Sequence, residues 1–155
     1  MPKSHFLFGP PTIGIKPVQD VLATFSPWTP WIERKNLHLG VAGVYLLARF
    51  ETAAPSGTPE ICSNIIYIGE TCGQTLAARL RQFDRSGSLG RTGHSGGMTF
   101  AATFGLRTDV PWLYIAAMGT SLSEPQSSAF IRYVERTLLW EYVQLFDSFP
   151  TCNRK

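Results

Sequence analysis

Four kinds of side chain in this 155-residue chain stand where they could act on a charged substrate. A strand-like run, NIIYIG (64–69), delivers Tyr67 to a glycine, and a helix-like run beyond it, LAARLRQF (76–83), carries Arg79 and Arg81. Between positions 79 and 107 there are five arginines (79, 81, 85, 91 and 107) against a single acid, Asp84. All are arginine, whose planar fork suits phosphate oxygens better than a lysine point charge does. Taken alone, this stretch also fits a solvated helix face. His94 lies in the glycine- and serine-rich SGSLGRTGHSGG (86–97), where the glycines would let backbone amides approach an anion, with Arg91 adding charge nearby. Glu135 is the fourth. At about 100° per residue, Ile131, Val134, Leu138, Tyr142 and Leu145 make one apolar stripe, and Glu135 falls inside it. A carboxylate there must be paired, protonated or bound to a cation, so a salt bridge, a metal ligand and a catalytic acid all remain open.

The elements that must position these groups can be read from pattern. GVYLLARFE (43–51) and NIIYIG predict two strands close enough in sequence to pair antiparallel. Thr75 is the expected N-cap of a helix with Leu76, Leu80 and Phe83 on one face. MTFAATFG (98–105) fits helix or strand, WLYIAAM (112–118) predicts a third strand, and a long helix is expected from about 124 to 146. The fold expected is therefore α+β: a small central, mainly antiparallel three-stranded sheet flanked by helices. Residues 1–39 are Pro-rich and predict an N-terminal extension packed on a core formed by 40–155. Within the extension, PVQDVLATF (17–25) predicts a short helix and SPWTPW (26–31) a rigid aromatic turn, its tryptophans packing on the sheet.

Composition narrows the class. A chain of this length, 44% hydrophobic, can bury a core without staples. The three cysteines, Cys62, Cys72 and Cys152, have neither disulfide arithmetic nor zinc spacing. They predict reduced thiols in a cytoplasmic protein. No run approaches a membrane span and the first residues do not resemble a signal peptide, so neither a membrane nor export is expected.

GVY (43–45), YIG (67–69), Arg79 on the following helix, Glu135 on a later one and Asn153 near the end together resemble the GIY-YIG nuclease superfamily over residues 40–155. The resemblance implies a metal-dependent endonuclease that hydrolyses phosphodiester bonds in DNA. It assigns Tyr45 as the base that takes a proton from water, Tyr67 as its neighbour on the phosphate or water, and Arg79 as the group stabilising phosphoryl charge. Glu135 would hold one Mg2+ or Mn2+, and Asn153 would help order the site. Arg81 and Arg91 would meet the nucleic acid. Glu70 and Thr71 follow YIG where many members carry a lysine, and Phe83 stands where many have Tyr or His. His94 is therefore expected to supply a missing group, on the scissile phosphate or the leaving oxygen. Spacing to Asn153 favours Glu141 as metal ligand, whereas the helical stripe and the local YVERTLL pattern favour Glu135. With no second domain in view, a homodimer or a targeting partner is expected to provide recognition. A catalytically inactive nucleic-acid-binding module of the same fold is the alternative.

Overall fold

The computed structural model describes residues 18–153. The parts of the expected extension at 1–17, and residues 154–155, lie outside the described residues. The described chain is α+β. In chain order it runs α1 (Val18–Leu22), β1 (Thr29–Pro30), a 3-10 turn (Trp31–Asn36), β2 (Gly43–Arg49) and β3 (Ile65–Thr71). It continues through α2 (Leu76–Leu89), α3 (Ser95–Phe104), β4 (Leu113–Gly119) and α4 (Gln126–Phe146).

The sheet has four antiparallel strands in the order β1-β4-β2-β3, one more than the three expected. The added strand is two residues of the aromatic turn, with Thr29 opposite Ile115 and Pro30 opposite Tyr114. Pro30 has no N–H to give a ladder, and it sits on an edge strand, where prolines are tolerated. Periodicity cannot reveal so short a strand.

Side chains alternate across β2, so Val44, Leu46 and Ala48 face one core and Tyr45 and Leu47 the other. The first core is closed by α4 through Ile131, Val134, Leu138 and Tyr142, and by Val21, Leu22, Phe25 and Trp28 from the N-terminal segment. The second is closed by Leu76, Leu80, Phe83 and Phe100 from α2 and α3, together with Trp31. Trp28 packs edge-on against Phe50 and Trp31 against Phe83, so both tryptophans are core residues. Leu145, expected on the α4 stripe, is exposed.

Helix α2 begins as its sequence predicts, the Thr75 hydroxyl accepting from Ala78 N–H at 3.2 Å. It then runs past Phe83 to Leu89 and ends at Gly90, whose φ of 67° is the left-handed helix stop. Poor helix formers at 86–88 are carried by packing: a Cβ on Gly97 would meet Phe83 O at 2.8 Å, and one on Gly87 would meet Thr108 Cγ2 at 2.9 Å. Small residues thus let α2 and α3 approach closely. The 98–105 stretch resolves as helix, and half of the expected glycine-rich loop belongs to α2 and α3.

Candidate active site

β2 and β3 bring the two tyrosines together through an irregularity. Leu47 pairs with Tyr67 but Ala48 pairs with Ile65, so Ile66 is an extra residue in β3. The bulge breaks alternation: Ile66 and Tyr67, consecutive in sequence, both face the second core. Tyr67 is thereby aimed to the same side as Tyr45, with ring centroids 5.8 Å apart. Gly69 lies opposite Tyr45 in the ladder, inside the strand rather than at its end. A Cβ there would lie 2.7 Å from Tyr45 Cζ, and one on Gly96 would lie 2.5 Å from Tyr67 Cε2. The two rings therefore occupy space that only glycine leaves free on both sides.

His94 enters this cluster as the N-cap of α3. Gly97 N–H donates to its Nδ1 at 3.0 Å, so the proton of the neutral ring belongs to Nε2. That N–H donates to Tyr45 Oη at 2.6 Å. Burial, and then the positive charge of Arg79, push the imidazole pKa down to about 3, so the ring is neutral near pH 7. Its edge lies 5.3 Å from Phe83 and 5.4 Å from Tyr67, centroid to centroid. His94 thus packs beside Phe83 at the tyrosine pair, where a missing group was expected. The expected contact of the imidazole with a phosphate or leaving oxygen is not the geometry found, because both ring nitrogens are already engaged inside the protein.

Arg79 projects from α2 toward the same tyrosines. Its Nη1 donates to Gln82 Oε1 at 3.0 Å, and Gln82 is held by two amide hydrogen bonds with Gln74, at 3.1 and 3.2 Å. The Nε of Arg79 is buried with no hydrogen-bond partner. A buried orphan donor on a cation costs free energy unless an acceptor arrives. Burial pushes the Tyr45 phenol well above its ordinary value, and proximity to Tyr67 pushes it further, while Arg79 pulls it down. Burial also raises the Tyr67 phenol, against the opposing pull of Arg79 and of the Tyr45 hydroxyl.

Glu135 is buried at 3% exposure on the face of α4, as the stripe predicted. Its Oε2 is 3.3 Å from Arg136 Nε, the next residue, and its charge acts on Tyr67. Glu141 lines a different groove, with Val18, Leu22, Glu60 and Ile61. The carboxylate near the tyrosines is therefore Glu135. Among the described residues no three His, Cys, Asp or Glu side chains form a metal-holding group. The mode these residues fit is a hard cation on one carboxylate, with waters and substrate oxygens completing the shell.

Asn153 accepts from Ile68 N–H at 2.9 Å and donates to Ile68 O at 2.8 Å, and Cys152 N–H donates to Ile66 O at 2.8 Å. The chain end thus seals the free edge of β3 around the bulge. Arg81 and Arg91 are exposed. Gln74 and Gln82 were not singled out by sequence reasoning, and the glycines beside His94, expected to make room for an anion, instead make room for the Tyr67 ring at Gly96 and for α2 at Gly97. The small residues after His94 were a signal of close approach, whereas nothing in the sequence marked the Gln74–Gln82 pair. Among the described residues no helix is long and apolar enough to cross a membrane. No family model, curated protein or solved structure matches the chain.

Proposed function

We propose that the chain is a GIY-YIG type endonuclease that hydrolyses phosphodiester bonds in DNA. The observation that carries this reading is the buried, unpartnered Nε of Arg79 near two phenols, one of them hydrogen-bonded to a neutral histidine and the other packed on its ring. A phosphodiester satisfies it chemically: a phosphoryl oxygen would accept from Arg79, and the same guanidinium would stabilise the added charge of the pentacovalent transition state. Gln82, braced by Gln74, fixes the guanidinium before substrate arrives. That preorganisation avoids reorientation cost at the moment of reaction. The tyrosine pair provides an oxygen base for water, and the charge of Arg79 favours the phenolate form there. Glu135 would hold one Mg2+ or Mn2+, which when bound supplies charge neutralisation at the phosphate and leaving oxygen. Exposed Arg81 and Arg91 would contact the DNA backbone.

Full burial of Tyr45 and the ion pair of Glu135 with Arg136 favour a second reading, a binding module that retains the fold without cleavage. Incubating supercoiled plasmid with wild type and Glu135→Ala in Mg2+ or Mn2+ separates them. The nuclease reading expects nicked or linear product from wild type alone. Cleavage that survives Glu135→Ala contradicts the metal assignment, and DNA binding with no cleavage by wild type favours the module.

A further inference from the structure

The guanidinium of Arg79 is held by an acceptor that carries no charge. Arg79 and Gln82 stand one turn apart on α2, and Arg79 Nη1 donates to Gln82 Oε1 at 3.0 Å. Gln82 is paired in turn with Gln74: Gln74 Nε2 donates to Gln82 Oε1 at 3.1 Å, and Gln82 Nε2 donates to Gln74 Oε1 at 3.2 Å. Gln74 is itself anchored to the end of β3, because the hydroxyl of buried Thr71 donates to its backbone carbonyl at 3.1 Å. A reciprocal amide pair is equally well bonded with both amides turned over, so the pair alone does not decide which atom of Gln82 faces the arginine. Arg79 can only donate, and it selects the orientation that presents Oε1.

The choice of an amide has an electrostatic consequence. A carboxylate at position 82 could hold the guanidinium in the same place, and more strongly, but it would cancel the charge that the site offers to an anion. Arg79 takes part in none of the ion pairs among the described residues. The one acid of α2, Asp84, is engaged by Arg34, Trp31 and Thr108 instead. The positive charge of Arg79 is left to act on Tyr45, Tyr67 and His94, and its buried Nε has no hydrogen-bond partner.

We propose that Gln74 and Gln82 are positioning residues, an uncharged clasp that aims Arg79 while leaving its full charge to the phosphoryl group of the substrate. This deepens the nuclease reading and rests on it. Both glutamines act through Arg79, Gln82 directly and Gln74 by bracing Gln82.

Three variants, each checked for folding by thermal unfolding, separate aim from charge. Gln82→Glu keeps an acceptor for Arg79 and adds a negative charge, whereas Gln82→Leu removes the acceptor and Gln74→Leu removes its brace. Nitrogen-15 NMR of the Arg79 Nε–H reads both properties without any cleavage: its exchange with solvent reports how firmly the guanidinium is held, and its shift on adding inorganic phosphate reports anion binding. Wild type should exchange slowly and shift saturably with phosphate. Gln82→Glu should keep the slow exchange but bind phosphate about tenfold or more weaker, because the new carboxylate competes with the anion. Gln82→Leu should exchange about tenfold or more faster, and Gln74→Leu should move the same way by less. On plasmid, Gln82→Glu should lower kcat by about tenfold or more with KM little changed, since the exposed arginines still hold the DNA backbone. Gln82→Glu that binds phosphate as wild type does, or wild type with no phosphate-dependent shift at Arg79, overturns the role given to neutrality. Unchanged exchange in folded Gln82→Leu overturns the clasp. If wild type cleaves no DNA, the nuclease reading has failed, and the exchange and phosphate measurements still decide whether the glutamines aim Arg79 at an anion.

Discussion

Replacing Gly69 with alanine sets two effects of opposite sign against each other. Gly69 has no left-handed backbone, so alanine would restrict the unfolded chain and stabilise by about 0.4–1 kcal/mol if there were room. There is none. The new methyl would lie 2.7 Å from Tyr45 Cζ and 2.8 Å from its Oη, and would also collide with the Tyr67 ring. Tyr45 cannot retreat, being fully buried and bonded to His94, and Tyr67 is backed by Gly96. Overpacking of this kind costs about 1–3 kcal/mol, which outweighs the entropic gain and leaves a net loss of about 1–2 kcal/mol. In a domain of this size that lowers Tm by roughly 2–8 °C. Gly73 is the control, because nothing lies within 4 Å of a Cβ there and its backbone is not left-handed. Thermal unfolding followed by circular dichroism should show Gly69→Ala melting below wild type and Gly73→Ala at or slightly above it. If Gly69→Ala melts no lower than Gly73→Ala, the packing of both phenols over this glycine is wrong.

Three further outcomes follow from other parts of the site. His94 is held neutral in the folded state, with a pKa near 3, while the unfolded imidazole takes up its proton near 6.5. The unfolded state therefore binds more protons between those values, so stability is full above pH 6.5 and falls toward pH 3 at up to ~1.4 kcal/mol per pH unit. Urea unfolding at pH 7 and pH 4.5 should show a loss in wild type that is smaller in His94→Gln; equal losses would remove His94 as the cause. Asn153→Ala strips both side-chain bonds from Ile68 on the β3 edge, a cost of about 1–3 kcal/mol. Hydrogen exchange at the Ile68 amide should accelerate well beyond that at Leu46 in the central strand, and unchanged protection would refute the edge-sealing role. Burial raises the Cys152 thiol to about 12, so an aromatic disulfide reagent should modify Cys62 and Cys72 first. Early labelling of Cys152 in the native protein would contradict its burial.

What could be read from the sequence was whatever a local rule controls. Thr75 announced its cap, Leu76, Leu80 and Phe83 their common face, and the α4 stripe the burial of Glu135. These depend on helical period and capping, which act within a few residues. The bulge at Ile66 was illegible, because IIYI has apolar or aromatic residues on both faces and no period-two contrast to break. Yet it decides which way Tyr67 points. β1 was hidden for a related reason: two residues have no period, and Pro30 argued against a ladder until its edge position was known. The length of α2 was lost to local propensity, since Ser86, Gly87 and Ser88 read as loop. Close packing against α3 overrode that preference. His94 was visible as a candidate, but its partners lie at Tyr45 and Gly97, and only the fold reveals that both its nitrogens are used.

On the proposed nuclease reading the site works on a phosphodiester through Arg79, whose buried Nε has no hydrogen-bond partner. The direct test is single-turnover cleavage of supercoiled plasmid in Mg2+ by wild type and Arg79→Ala, with folding of both checked by thermal unfolding. Loss of a charge-stabilising donor of this kind predicts a rate lower by about a hundredfold or more in a folded variant. Folded wild type that leaves every plasmid intact, or folded Arg79→Ala that cleaves at the wild-type rate, would contradict it.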